Sequence, residues 1–106
     1  MTAPLPDVVL FARAGCHLCD DAREILRALL AERAAQGRAQ PRLLERDIDT
    51  DPALHDAFFQ TIPVVEVGDR RLELATSPAR IRRLLDEVLA DADAVDADAV
   101  ARPGTR

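Results

Sequence analysis

Two periodicities of apolar and polar residues run along this chain, and their order predicts its architecture. Val8-Val9-Leu10-Phe11 is a short continuous apolar run, the pattern of a buried strand. After the break at Ala14-Gly15, Leu18, Ala22, Ile25, Leu26, Leu29 and Leu30 recur three and four residues apart. Asp20, Arg23, Glu24 and Arg27 fill the opposite face, so the segment reads as an amphipathic helix with Gly37 as its stop. Residues 42–48 read as a second strand that ends in an acidic turn over 47–51. Asp51 as N-cap and Pro52 at the first helical position predict a short helix over 52–59. A third strand covers 63–67, with Pro63 at its first residue, and Gly68-Asp69 turns the chain into an alternating fourth strand over 70–74. Ser77 and Pro78 open the last helix, whose stripe is Ile81, Leu84, Leu85, Val88 and Leu89.

The order is β-α-β-α-β-β-α, an α/β class. The first two strands should be parallel, joined by a crossover helix, and the closing hairpin should extend the same sheet in the antiparallel sense. The expected fold is a four-stranded mixed sheet with helices on both faces, its strand order left open. Past Ala90 the pattern collapses into Asp91-Ala92-Asp93-Ala94-Val95 and a repeat of the same five residues. Such a segment has too little bulky apolar surface to offset its ordering entropy. One domain over residues 1–90 and a disordered acidic tail over 91–106 are therefore expected.

Composition narrows the function more than the fold. With 106 residues and 48% hydrophobic positions, the chain has room for one core, built without Trp or Tyr. All fourteen basic residues are Arg, and the net charge is −5. A mildly acidic body offers no basic stripe for nucleic acid. The N-terminal stretch lacks a charged and an apolar leader region, and no apolar run approaches a bilayer span, so a cytoplasmic protein away from membranes is expected, and it is expected as a monomer. There, lasting structural disulfides are rare, and a close cysteine pair is more often catalytic or metal-binding.

That pair is Cys16-His17-Leu18-Cys19, just after the first strand and at the start of the first helix. Unpaired N–H groups and the positive end of the helix dipole favour a thiolate at such a place. Cys19 follows nearly one helical turn later, where its sulfur can reach Cys16 and close a disulfide. Cys16 is expected to attack and Cys19 to resolve, the two halves of thiol–disulfide exchange. His17 is either a tuning group for the Cys16 thiolate or an exposed first-turn residue. A zinc site needs four ligands, and one Cys-x-x-Cys with His17 and His55 falls short, so no metal is assigned.

Phe11-Ala12-Arg13-Ala14-Gly15-Cys16-His17-Leu18-Cys19, followed by Thr61-Ile62-Pro63 ahead of a strand, resembles the glutaredoxin-like branch of the thioredoxin superfamily, the small bacterial type with Cys-x-Leu-Cys. The likeness covers roughly residues 7 to 90. It implies a thioredoxin-like fold in which Pro63 is a cis-proline facing the cysteines and the Thr61-Ile62 backbone meets bound substrate. It places Arg13 where a basic residue binds the glutathione carboxylate. Two features depart from the family. His17 and Leu18 stand where it has proline and an aromatic residue, and Ala75-Thr76-Ser77-Pro78 replaces its Gly-Gly and Asp segment. Thr76 and Ser77 could still meet a glutathione carboxylate, and helix capping explains Ser77 equally well.

The expected activity is that of a thiol–disulfide oxidoreductase acting on a disulfide in a small molecule or a protein. No cofactor is expected to be bound. Glutathione is a candidate co-substrate, and electrons would come from glutathione or a thioredoxin-type reductase. The alternative is a non-catalytic thioredoxin-fold module that binds a partner or a metal through the same cysteines. Glutathione transferase-like conjugation would need a larger apolar pocket than a chain of this size offers.

Overall fold

The computed structural model describes residues 5–94. Its elements are β1 (Val8–Ala12), α1 (His17–Ala35), β2 (Leu43–Asp47), a 3-10 turn (Ile48–Thr50), α2 (Pro52–Phe58), β3 (Val64–Val67), β4 (Arg70–Leu72) and α3 (Pro78–Val88). The order is the expected one, and the four strands form one mixed sheet in the order β2-β1-β3-β4. β1 pairs in parallel with β2 and antiparallel with β3, and β3 with β4 is the predicted hairpin.

Side-chain alternation along β1 divides the core in two. Val8, Leu10 and Ala12 join Val65 and Val67 beneath α1 and α3, packing on Ala22, Leu26, Leu30, Ile81, Leu84 and Leu85. Phe11 and Val64 face the other way onto Ile48 and Phe58, with Val9 and Leu54 at the edge. Phe11 and Phe58 pack with their rings tilted by 37° and their centroids 4.7 Å apart. Both faces of β1 are therefore covered, which is why its sequence is a run rather than an alternation.

The helix ends follow their local signals. Cys16 caps α1, with its Sγ accepting the Cys19 N–H at 3.1 Å. Asp51 caps α2 and Ser77 caps α3. At the far end of α1, Gly37 takes φ of +69° while its N–H reaches the Ala34 carbonyl and the Arg38 N–H reaches the Arg33 carbonyl. This paired closure is the usual job of a glycine just past a helix.

Three expectations need correction. Leu18, placed on the buried stripe of α1 by periodicity, is 50% exposed, and Cys19 takes the fully buried place beside it. The fourth strand stops at Leu72, because Leu74 turns to φ of +49° and leaves the sheet. The tail does not begin at residue 91: residues 90–94 are helical, and Asp93 is tied to the body. The reason is a polar clasp. Arg33 is 3% exposed and donates to the Ala39 carbonyl, Asp86 and Asp93 at 2.9–3.2 Å. Arg38 and the Ala39 N–H also bond Asp93, at 3.1 Å each. The rest of the expected tail, residues 95–106, lies outside the described residues.

Candidate functional site

The C-terminal end of β1 and the N-terminal end of β3 leave the sheet at the same edge. Phe11 is paired with Val64, the first residue of β3, so the chain after β1 and the chain before β3 leave the sheet at the same end. The loop that carries Cys16 thus emerges beside the loop that carries Pro63. Cys16 and Ile62 are both half-buried and pack on the same core cluster.

The two cysteines are joined as a disulfide with Cα atoms 5.2 Å apart. They are not equivalent. Cys16 is half-exposed in extended backbone at the helix cap, whereas Cys19 is inside the first turn with no exposed surface. Gly15, at φ of +80°, makes the turn that brings the chain from β1 into the cap. The backbone N–H of Cys19 points at the Cys16 sulfur, a donor aimed where negative charge would develop on a released thiolate.

The Ile62–Pro63 peptide is cis, and Pro63 is buried. Thr61 and Ile62 both donate their N–H groups to the Phe58 carbonyl, at 2.9 and 3.0 Å. The Ile62 N–H is thus committed inside the chain and is not offered to a ligand. Segment 74–75 braces this loop from the other side: Leu74 N–H reaches the Thr61 carbonyl and Ala75 N–H reaches the Pro63 carbonyl. Leu74 itself is 55% exposed at the rim.

The other residues singled out by sequence fall around this edge with different commitments. His17 is exposed on the first turn of α1. Arg13 is half-exposed and bridges to Asp49 at 3.2 Å. Ser77 Oγ accepts the Arg80 N–H at 3.2 Å, the ordinary capping bond, and Thr76 is exposed with its N–H turned to the Leu74 carbonyl. An open groove of about 310 Å³ runs from the Cys16 loop toward β2, and its charged walls are Arg13, Asp20, Arg23, Glu45, Arg46 and Asp47. Arg23 is held there by Glu45 at 2.7 Å and Asp20 at 2.8 Å. The larger groove, of about 580 Å³, lies between α1 and the β2 edge, and neither groove is lined by a cysteine.

Sequence reasoning missed two residues here. Asp49 appeared only as part of an acidic turn, and its pairing with Arg13 depends on the parallel β1–β2 register. Leu74 gave no signal beyond a strand position, since positive φ at a leucine is not written in composition. Among the described residues no group of three His, Cys, Asp or Glu side chains converges as metal ligands. A metal on the Cys16–Cys19 pair would therefore draw ligands from outside that set. Among the described residues, too, no helix is long and apolar enough to cross a membrane.

A model of the glutaredoxin-like domain (DUF836) matches residues 7–90. The chain belongs to that family. The matched stretch of this glutaredoxin-like protein spans the described fold from β1 through α3 and includes both cysteines, the cis-proline and the Ser77 cap. Among solved structures, the X-ray structure of target protein XcR50 from X. campestris is 31% identical, with a TM-score of 0.61. The match covers 76% of this chain and 96% of that one. The solution structure of XcR50 gives 30% identity and a TM-score of 0.59, over 76% and 94% of the two chains. No curated protein matches the chain significantly.

Proposed function

We propose that this glutaredoxin-like protein is a thiol–disulfide oxidoreductase whose working group is the Cys16–Cys19 pair. The observation that carries the reading is the asymmetry of that pair: a half-buried cysteine at a helix cap, its sulfur receiving the Cys19 N–H, joined to a fully buried partner one turn along. An exposed thiolate at a helix N-terminus is a nucleophile, and a buried thiol beside it is shielded from outside oxidants while still able to attack its neighbour.

In the reduced protein, the Cys16 thiolate attacks one sulfur of a substrate disulfide. The substrate S–S bond breaks, and the first half leaves as a thiolate that takes a proton from water. Cys19 gives up its proton and attacks Cys16 Sγ, and the second half leaves as a thiolate that takes up a proton in exchange. The protein ends as the intramolecular disulfide and the substrate gains two electrons. A thiol donor, glutathione or a thioredoxin-type reductase, restores the dithiol. The substrate is a disulfide in a small molecule or a protein that approaches the edge formed by the Cys16 loop and the Thr61–Pro63 loop.

The test is a redox titration of the pair in glutathione buffers, read by alkylation and mass spectrometry, together with two single variants. A reversible two-electron transition is expected. Cys16→Ser should abolish exchange, and Cys19→Ser should accumulate the mixed disulfide on Cys16. Retained reactivity in Cys16→Ser with loss in Cys19→Ser would reverse the two roles. Absence of any reversible transition would overturn the reading in favour of a non-catalytic binding module or a metal-binding protein.

A further inference from the structure

The charged side chains around Cys16 are largely spoken for. Arg13 lies three peptide units before the nucleophile, so their Cα atoms are within about 11 Å. At low ionic strength, where the Debye length reaches about 30 Å at 0.01 M, that is near enough for the Arg13 charge to act on a substrate seated at Cys16. Its guanidinium is bridged to Asp49 at 3.2 Å, with the two side chains 40% and 42% exposed. Asp49 is not a loose surface acid. It sits on the 3-10 turn whose Ile48 is fully buried, its N–H is held by the Asp47 carboxylate at 2.9 Å, and Thr50 Oγ1 closes the turn on the Asp47 carbonyl at 2.7 Å.

The neighbouring groove repeats the arrangement. Arg23 is taken up by Glu45 and Asp20, and Asp47 adds another carboxylate. Among the described residues, Arg46 is the groove arginine that forms no ion pair. On the Arg13 side, an anionic disulfide arriving at Cys16 therefore meets a cation already occupied by a carboxylate.

We infer that Asp49 is a specificity-determining residue that acts through Arg13: by occupying its guanidinium, it biases exchange at Cys16 against anionic disulfides and toward neutral or cationic ones. The inference rests on the exchange activity proposed above and names the substrate class that activity prefers.

The test uses the full chain, reduced with dithiothreitol and desalted, and the second-order rate of its oxidation by three disulfides. These are glutathione disulfide, a net dianion; hydroxyethyl disulfide, uncharged; and cystamine, a dication. In each case the protein dithiol is oxidised and the small disulfide reduced to two thiols. Asp49→Asn should raise the glutathione-to-hydroxyethyl rate ratio about two- to five-fold, the range of an exposed ion pair, and lower the cystamine ratio. Both changes should collapse near 1 M salt. Asp69→Asn alters the net charge equally, but Asp69 is in the β3–β4 turn at the opposite end of β1, about 13 Å of strand away, and should leave the ratios unchanged. In an Arg13→Gln background the Asp49→Asn effect should shrink toward none, since the cation it frees is gone.

Ratios in Asp49→Asn equal to those of the wild type or of Asp69→Asn would overturn the inference. So would an undiminished Asp49→Asn effect in the Arg13→Gln background, which would mean that Asp49 acts by bulk charge alone. Failure of the wild type to react with any of the three would instead overturn the exchange reading, and this one with it.

Discussion

At the level of single residues, the chain pays conformational energy at one exposed leucine. Leu74 holds φ of +49°, a region that costs a side chain with a Cβ roughly 1–2 kcal/mol, and it is more than half exposed. Two backbone bonds, from Leu74 to Thr61 and from Ala75 to Pro63, keep it there and brace the cis-proline loop. Leu74→Gly should be neutral or stabilising by about 0.5 kcal/mol, because relief of the positive φ outweighs the extra freedom of glycine in the unfolded chain. Leu74→Val should destabilise by about 1–2 kcal/mol, since a β-branched residue tolerates that φ poorly. Urea unfolding midpoints check both, and equal losses in the two variants would show that the side chain matters and the backbone conformation does not. The same scale shows where sequence was readable. Cys16, Cys19 and the Pro63 motif stood out because their chemistry is tied to residue identity and spacing. Leu18 misled because three- and four-residue spacing extends into the first helical turn, where the helix end leaves side chains without a neighbour to cover them.

Among the elements, caps were the most legible feature. Asp51-Pro52 and Ser77-Pro78 each start a helix at the expected residue, since an oxygen acceptor followed by proline has few other uses. Ser77→Ala should lower stability by about 1 kcal/mol, measured by denaturant unfolding. The same variant should leave the rate with glutathione disulfide unchanged if its bond to the Arg80 N–H is its whole role; a slower rate in a folded protein would bring Ser77 back as a ligand residue. Strand pairing was less legible. The β1 run announced a strand covered on both faces but not which strands flank it, because parallel partners are far apart in sequence and no turn fixes their register. For that reason the Arg13–Asp49 bridge is a property of the folded structure that the sequence does not announce.

Across the whole molecule, the least expected feature is the clasp at the end opposite the cysteines. The apolar progression Ala22, Leu26, Leu29, Leu30 arrives at Arg33, one step further along the buried face of α1. A charged residue there needs partners, and Asp86, Asp93 and the Ala39 carbonyl supply them. Composition pointed to a disordered stretch from residue 91 because a single aspartate that satisfies a distant buried arginine leaves no compositional trace. Burial pushes the Asp93 carboxyl up, but the bonds from Arg33, the Ala39 N–H and Arg38 outweigh it and hold the group below the ordinary carboxylate range. With the folded pKa depressed, the stability it contributes is present above the unfolded value of about 3.9 and is lost as pH falls through the lower folded value. Asp93→Asn should destabilise by about 2 kcal/mol at neutral pH. It should also flatten the decline in stability below about pH 4, as read by thermal unfolding across pH; an unchanged acid limb would exclude Asp93 as its source.

The clasp also gives the closing segment its own clock. The buried Ala39 N–H bonds neither a helix nor a strand but the Asp93 carboxylate. Short of global unfolding, its exchange with solvent follows release of Asp93, so one amide far from residues 90–94 keeps time for the opening of that segment.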